Sequence, residues 1–253
     1  MCGACDRRII AVMDTRAPSL QTGRCQDCPI RHRAVCAHCE ADELAKLEAI
    51  KFYRSFEAGQ HILWEGDRLD FVASVVTGVV ALTRTLEDGR TQMTGLLLPS
   101  DFLGRPGREN APCHATDVTL CCFRRQPFDR LMHTTPHLSQ RLLEMTLDEL
   151  DAAREWMLLL GRKTARERIA TFIAMIARRQ GGQTRGGPMR LELPLTREAM
   201  GDYLGLTIET VSRQIGALRR DGVIELAGLR GITVPDPARL AAECGDDRRH
   251  PPH

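Results

Sequence analysis

Residues 194–222 constrain this chain more than any other stretch. Thr196 can cap a short helix ending near Leu204, Gly205 supplies a tight turn, and Thr207 can cap a second helix running to about Arg220. Two capped helices joined through a glycine turn make a helix-turn-helix, with Ala199, Leu204, Leu206, Val211, Ile215 and Leu218 as its apolar core. Thr207, Glu209, Thr210, Ser212, Arg213 and Gln214 then sit near the N-terminal end of the second helix, the end that enters the major groove in this motif. Their chemistry suits base edges: Arg bridges guanine O6 and N7, Glu accepts from cytosine N4, and Ser or Thr bonds a base or phosphate. Beyond Gly222, the apolar runs 223–226 and 231–234 predict a two-stranded wing.

Charge supports this placement. Residues 161–234 hold 13 Lys+Arg against 7 Asp+Glu, whereas residues 1–160 hold 19 against 22. A basic rear half behind an acidic front half is the footprint of a nucleic-acid-binding module joined to something else. That front half reads as short strands and turns. The stretch 72–82 is β-branched and interrupted by Thr77-Gly78, Asp88-Gly89 is a hairpin signal, and 96–98 and 118–123 are further apolar runs. The fold class is therefore α+β, with an N-terminal antiparallel barrel or jelly roll and a C-terminal winged helix-turn-helix.

A long helix over 136–162 joins the two halves. Its apolar residues Leu138, Leu142, Met145, Ala152, Trp156 and Leu159 follow heptad spacing with one slot missing near Asp148 and Glu149. Such a stripe either forms a dimer seam or lies along the barrel. The expected divisions are an arm (1–41), a barrel (42–135), a dimerisation helix (136–162), a DNA-binding head (163–235) and a disordered Pro/Arg/His-rich tail (236–253).

The chain has 10 Cys. No apolar run approaches the roughly 18–20 residues needed to span a bilayer, and Met1 to Leu20 carries charges where a secretory signal would be apolar. A cytoplasmic setting, with reduced thiols and no disulfide framework, is the expectation. Cys25, Cys28, Cys36 and Cys39 form two C-x2-C pairs within 15 residues, a density that suits zinc or an iron–sulfur cluster. Arg24, Arg31 and Arg33 would offset the thiolate charge. Cys2 and Cys5 form another pair at the terminus, with no expected role. Cys121-Cys122, with Cys113 upstream, ends a strand-like segment and offers a remote ligand that could clip the arm onto the barrel.

Together, Cys25-x2-Cys28-x7-Cys36, Leu98-Pro-Ser-Asp101, Met157-Leu-Leu-Leu160, the Arg162–Arg168 run and the Tyr203–Arg213 run resemble the CRP/FNR superfamily of bacterial transcription regulators. The resemblance spans about residues 25–234 and is nearest to the oxygen-sensing fumarate-and-nitrate-reduction regulators of alphaproteobacterial type. It implies a [4Fe-4S] cluster bound by Cys25, Cys28, Cys36 and one barrel cysteine, either Cys121 or Cys122, with Cys113 and Cys39 as weaker candidates. It implies a homodimer on a palindromic DNA site with half-sites like TTGAT, read by Glu209, Ser212 and Arg213, and RNA polymerase as a further partner. No cyclic nucleotide is expected, because the stretch 104–112 lacks the phosphate-cradling pattern of the cyclic-AMP-binding relatives.

The expected switch sets the apolar stripe against acidic residues of the same helix. Asp148, Asp151 and Glu155 would hold the cluster-free chain apart, with Glu155 the main brake. Two rivals remain open at this stage: a regulator with zinc on Cys25, Cys28, Cys36 and Cys39 that senses nothing, and a thiol redox enzyme at Cys121-Cys122. No paired catalytic carboxylates, phosphate loop or Ser/His/Asp pattern argues for chemistry on a substrate.

Overall fold

The computed structural model describes residues 24–63, 70–104, 117–180 and 187–245, and the backbone of Ala111–Pro112. Cys2, Cys5 and Cys113, and most of the stretch 104–112, lie outside the described residues. Helix α1 (Ala41–Ile50) is anchored by Leu44 and Leu47, one turn apart, and opened by a reciprocal cap between Glu40 and Glu43. Among the described residues, eight strands follow: β1 (Lys51–Phe56), β2 (His61–Leu63), β3 (Phe71–Thr77), β4 (Val80–Thr85), β5 (Thr91–Leu97), β6 (Phe102–Leu103), β7 (Ala111–Pro112) and β8 (Val118–Arg124). They pair antiparallel in the orders β1-β8-β3-β6, β2-β7 and β4-β5, giving the expected β-roll. Gly89 turns the β4–β5 hairpin with φ +85°. At Gly78 (φ +79°) a Cβ would come within 2.2 Å of the Asp117 carbonyl oxygen, so only glycine fits between β3 and β4.

Side chains alternate across each strand. Phe71, Ala73, Val75, Val118, Leu120 and Cys122 fill the interior of the roll. Val72, Val76, Cys121 and Phe123 point outward into a second apolar cluster, covered by the arm, α1, α2 (Arg125–Thr134) and the start of α3 (Pro136–Arg162). Helix α2 was not anticipated; Phe128 is its one buried residue, too few to make a visible period.

The head comprises α4 (Ala165–Gln180), β9 (Met189–Glu192), α5 (Arg197–Leu204), α6 (Ile208–Arg220), β10 (Glu225–Ala227), β11 (Gly231–Val234) and α7 (Pro237–Ala242). Both expected caps are made: Thr196 accepts from the Ala199 N–H and Thr207 from the Thr210 N–H, while Gly205 turns with φ +63°. The wing has three strands, because β9 pairs with β11. The expectation of a disordered tail needs correction. Asp236 caps α7, Leu240 and Cys244 are buried, and Arg166 holds Glu243 at 2.7 and 3.0 Å. A short capped turn with one apolar anchor does not register in a composition dominated by Pro, Arg and His. Residues 246–253 lie outside the described set.

The long helix has the expected bounds, but its stripe needs correction too. Leu138, Leu142 and Met145 pack against the roll and arm. Leu159 is buried with the head, and Trp156 stacks on Tyr203 with ring centroids 4.0 Å apart. These residues are occupied within the protomer and do not form an open seam. Ala152 and Glu155 are exposed. A different set of large apolar side chains faces outward: Leu143, Leu147, Leu150, Met157 (67% exposed) and Leu158. Leu143, Leu147, Leu150 and Met157 span about a quarter of the helix circumference, opposite the inward stripe. Heptad spacing is met twice on this helix, once on each side.

One guanidinium ties helix to head. Arg168 donates to the carbonyls of Leu160 (2.8 Å), Lys163 (3.0 Å) and Leu204 (3.0 Å), joining the end of α3, the linker and the end of α5. The head also rests on the roll through Arg179–Asp101 (2.9 Å) and through buried Val79, Ala81, Met93 and Leu98. Each buried large apolar side chain contributes about 1.5–3 kcal/mol, against about 0–1 kcal/mol for a part-exposed ion pair, so packing dominates this contact.

Candidate metal centre and nucleic-acid interface

The described part of the arm, residues 24–40, is a compact run of turns. A single 3-10 turn (Cys25–Asp27) opens it, and Arg31 closes it by donating to the carbonyls of Cys36 (2.7 Å), Ala37 (2.6 Å) and Cys39 (2.8 Å). That clamp brings Cys25, Cys28, Cys36 and Cys39 into one apolar cluster with Cys121 of β8. Arg141 of α3 binds the Arg33 carbonyl at 2.8 Å, and His137 binds Glu43 at 3.0 Å, so arm and α1 are both fastened to the long helix.

Cys121 and Cys122 separate cleanly. Neighbours in a strand face opposite sides, and here Cys121 joins the arm thiols while Cys122, 0% exposed, lies inside the roll. The electrostatic neighbours agree: those of Cys121 include Cys25, Cys28 and Cys36, whereas those of Cys122 include Arg54 and Asp70. Cys122 was an expected candidate ligand; the structure removes it from the pocket. All the described cysteines are free thiols. Burial pushes Cys36 up to about 12 and Cys39 to about 11, and raises Cys25 and Cys121. A soft metal centre would therefore displace protons on binding.

Sequence reasoning missed the polar groups around this pocket. Lys51 donates to the Cys25 sulfur at 3.4 Å, and Glu48 accepts from the Cys25 N–H at 3.2 Å. Tyr53, opposite Cys121 in the β1–β8 register, packs against the same cluster, and burial together with Cys121, Cys28 and Cys25 raises its phenol. Ser74, opposite Cys121 in the β3–β8 register, is 2% exposed, and its hydroxyl has no hydrogen-bond partner among the described residues. Alternation of hydrophobicity marks apolar faces, so isolated polar residues on such a face carry no sequence signal. Five thiols, Cys25, Cys36, Cys39 and Cys121 buried and Cys28 half-buried, with polar groups beside them fit a thiolate-bound iron–sulfur group in donor chemistry. Among the described residues, no three Cys, His, Asp or Glu side chains approach closely enough to hold a single ion.

In the head, Val211, Ile215 and Leu218 bury one face of α6 and leave Glu209, Ser212 and Arg213 exposed on the other. Thr207 caps the helix, and Thr210 receives a hydrogen bond from Arg213 at 3.3 Å, so these two threonines brace the others. Glu209 is held below the usual carboxylate range by a hydrogen bond from its own backbone N–H in the first turn and by Thr207.

A β-roll whose outer face gathers thiols, joined by one helix to a winged helix-turn-helix, defines the architecture of a DNA-binding regulator. Family comparison gives the same two parts: residues 167–243 match the Crp-like helix-turn-helix domain and residues 53–135 the cyclic nucleotide-binding domain. The chain is 65% identical over 230 residues to the transcriptional activator protein FnrL of Cereibacter sphaeroides, covering 88% of this chain and 93% of that one. It is 30% identical over 230 residues to the fumarate and nitrate reduction regulatory protein of Salmonella typhimurium, covering 88% and 91%. The solved structure of FixK2 from Bradyrhizobium japonicum superposes with a TM-score of 0.71 at 33% identity, over 78% of this chain and 99% of that one. The chain belongs to the CRP/FNR family of transcription regulators.

Proposed function

We propose that this protein is an oxygen-responsive transcription activator that holds a [4Fe-4S] cluster on Cys25, Cys28, Cys36 and Cys121 and binds palindromic DNA as a homodimer. The observation that carries this reading is the gathering of Cys25, Cys28 and Cys36, with Cys39 beside them, against Cys121 in one apolar cluster. When bound, the cluster supplies iron that dioxygen can oxidise and release. The chain's own residues do the rest. Arg31 fixes the arm, Arg141 couples the arm to α3, His137 couples α1 to α3, and Arg168 couples α3 to the head. The dimer seam is the outward face Leu143, Leu147, Leu150 and Met157, which a second copy of α3 would cover.

Glu209, Ser212 and Arg213 read the half-site, and two recognition helices reach half-sites about 34–36 Å apart. RNA polymerase is the further partner, the cytoplasm the setting, and no cyclic nucleotide or substrate chemistry is involved. Support for activation comes from the relative named transcriptional activator protein FnrL, and support for the cluster from the family resemblance carried by Cys25-x2-Cys28-x7-Cys36. Protein purified without oxygen should contain iron and sulfide, absorb in the visible range and bind the palindrome; air should bleach it and release the DNA. One observation favours zinc as the second reading: Cys39 is buried in the same cluster. Zinc without sulfide in the anaerobic protein would establish that alternative.

A further inference from the structure

Ser74 poses a problem that packing alone leaves unsolved. A buried hydroxyl normally finds a hydrogen-bond partner, yet Ser74 Oγ has none among the described residues. It occupies the outer face of β3 between Val72 and Val76, both in the thiol-bearing cluster, and it stands directly opposite Cys121. Cross-strand pairs of this kind hold their Cβ atoms about 4.5–5.5 Å apart, so the Ser74 side chain stands next to Cys121 on this face. The second group on this face is Lys51, whose side chain is 10% exposed. Its ammonium donates to the Cys25 sulfur at 3.4 Å and pairs with Glu48 at 3.5 Å. Glu48 in turn holds the Cys25 N–H. A serine and a lysine from two strands therefore flank the two ends of the thiol set.

We propose that Ser74 and Lys51 are positioning residues for the cluster, donating hydrogen bonds to its sulfur at the Cys121 and Cys25 sides and thereby setting how readily oxygen removes it. Donors to sulfur stabilise the more electron-rich state and raise the reduction potential. Losing a donor makes the bound cluster easier to oxidise. For Ser74 the cluster-free protein behaves the opposite way, since an unpaired buried hydroxyl is a burden there and its removal relieves it. The inference rests on the cluster reading above.

The test uses the full chain, purified without oxygen, as Ser74→Ala, Lys51→Met, Lys51→Arg and the control Lys46→Met, an exposed α1 lysine paired only locally with Asp42 at 3.3 Å. Iron and sulfide content, midpoint potential, the decay of visible absorbance in air and the melting temperature after cluster removal are measured. Ser74→Ala and Lys51→Met should load the cluster, show a lower midpoint potential and lose absorbance faster, on the order of tenfold for Lys51→Met. Lys51→Arg should recover most of the parental lifetime and Lys46→Met all of it, while Ser74→Ala should melt no lower than the parent once the cluster is gone. Parental potential and lifetime in both variants would overturn the proposal, as would Lys46→Met matching Lys51→Met. Failure of Lys51→Met to load would leave Ser74→Ala to decide by the same readings. Absence of iron and sulfide from the parent protein would overturn the cluster reading itself, a distinct result.

Discussion

The DNA-binding head and the thiol pocket are assembled in opposite ways. In the head, 23 residues from Thr196 to Leu218 contain both caps, the turn and most of the buried face of the motif, so neighbours in sequence are neighbours in space. In the pocket, Cys25 comes from the arm and Cys121 from the last strand of the roll, and Arg31, Arg141 and Glu48 hold the arm by polar contacts spread over the arm itself, α3 and α1. The head gains its stability from a continuous apolar core, whereas the pocket encloses a smaller core lined by thiols. A part built from local packing keeps its shape whatever binds elsewhere. A part built from distant residues depends on every contact that brings them together.

The sharpest way to break this contrast is to remove one sulfur at a time. Cys121→Ala should abolish cluster loading, while Cys122→Ala should retain full iron and sulfide after anaerobic purification, with only a modest loss of stability from the vacated core space. A full cluster in Cys121→Ala would mean that the pocket draws its fourth ligand from elsewhere. Next in size, Leu218→Ala should cost about 2–5 kcal/mol in denaturant unfolding of the head. The cluster content should stay parental; coupled loss of both would show that head and pocket unfold as one unit.

A smaller effect is expected where the head meets DNA. Arg213→Ala should weaken the specific complex by about 1–3 kcal/mol and relax discrimination at the guanine it contacts. Uniform weakening across sequences, with a shallower salt dependence, would assign Arg213 to a phosphate instead. The smallest effect separates two acidic residues of α3. Asp151 flanks the outward apolar face and pairs with Arg154 at 2.8 Å, while Glu155 lies further round the helix. Sedimentation of cluster-free protein in air should therefore show more dimer for Asp151→Ala than for Glu155→Ala, by no more than about 1 kcal/mol. The reverse ranking would restore Glu155 as the brake.

Most of the architecture was legible because it repeats locally. Gly205 between two capped helices, Asp88-Gly89 between two strands, and the bounds of α3 from Pro136 to Arg162 all follow from turn chemistry and helical period. Strand β9, helix α2 and helix α7 did not follow, because each carries only one buried side chain: Leu191, Phe128 and Leu240 respectively.

By itself, then, the amino-acid order determined which residues share a face: Cys121 opposite to Cys122 on β8, and two apolar stripes on opposite sides of α3. It did not determine which face meets which neighbour. The roll closed with Cys122 inside and Cys121 against the arm, and α3 turned Leu138 and Leu159 onto its own protomer and left Leu150 and Met157 outside. Periodicity is a property of a segment, whereas the choice between two equally periodic faces depends on contacts with residues many positions away, and only packing of the whole chain makes that choice.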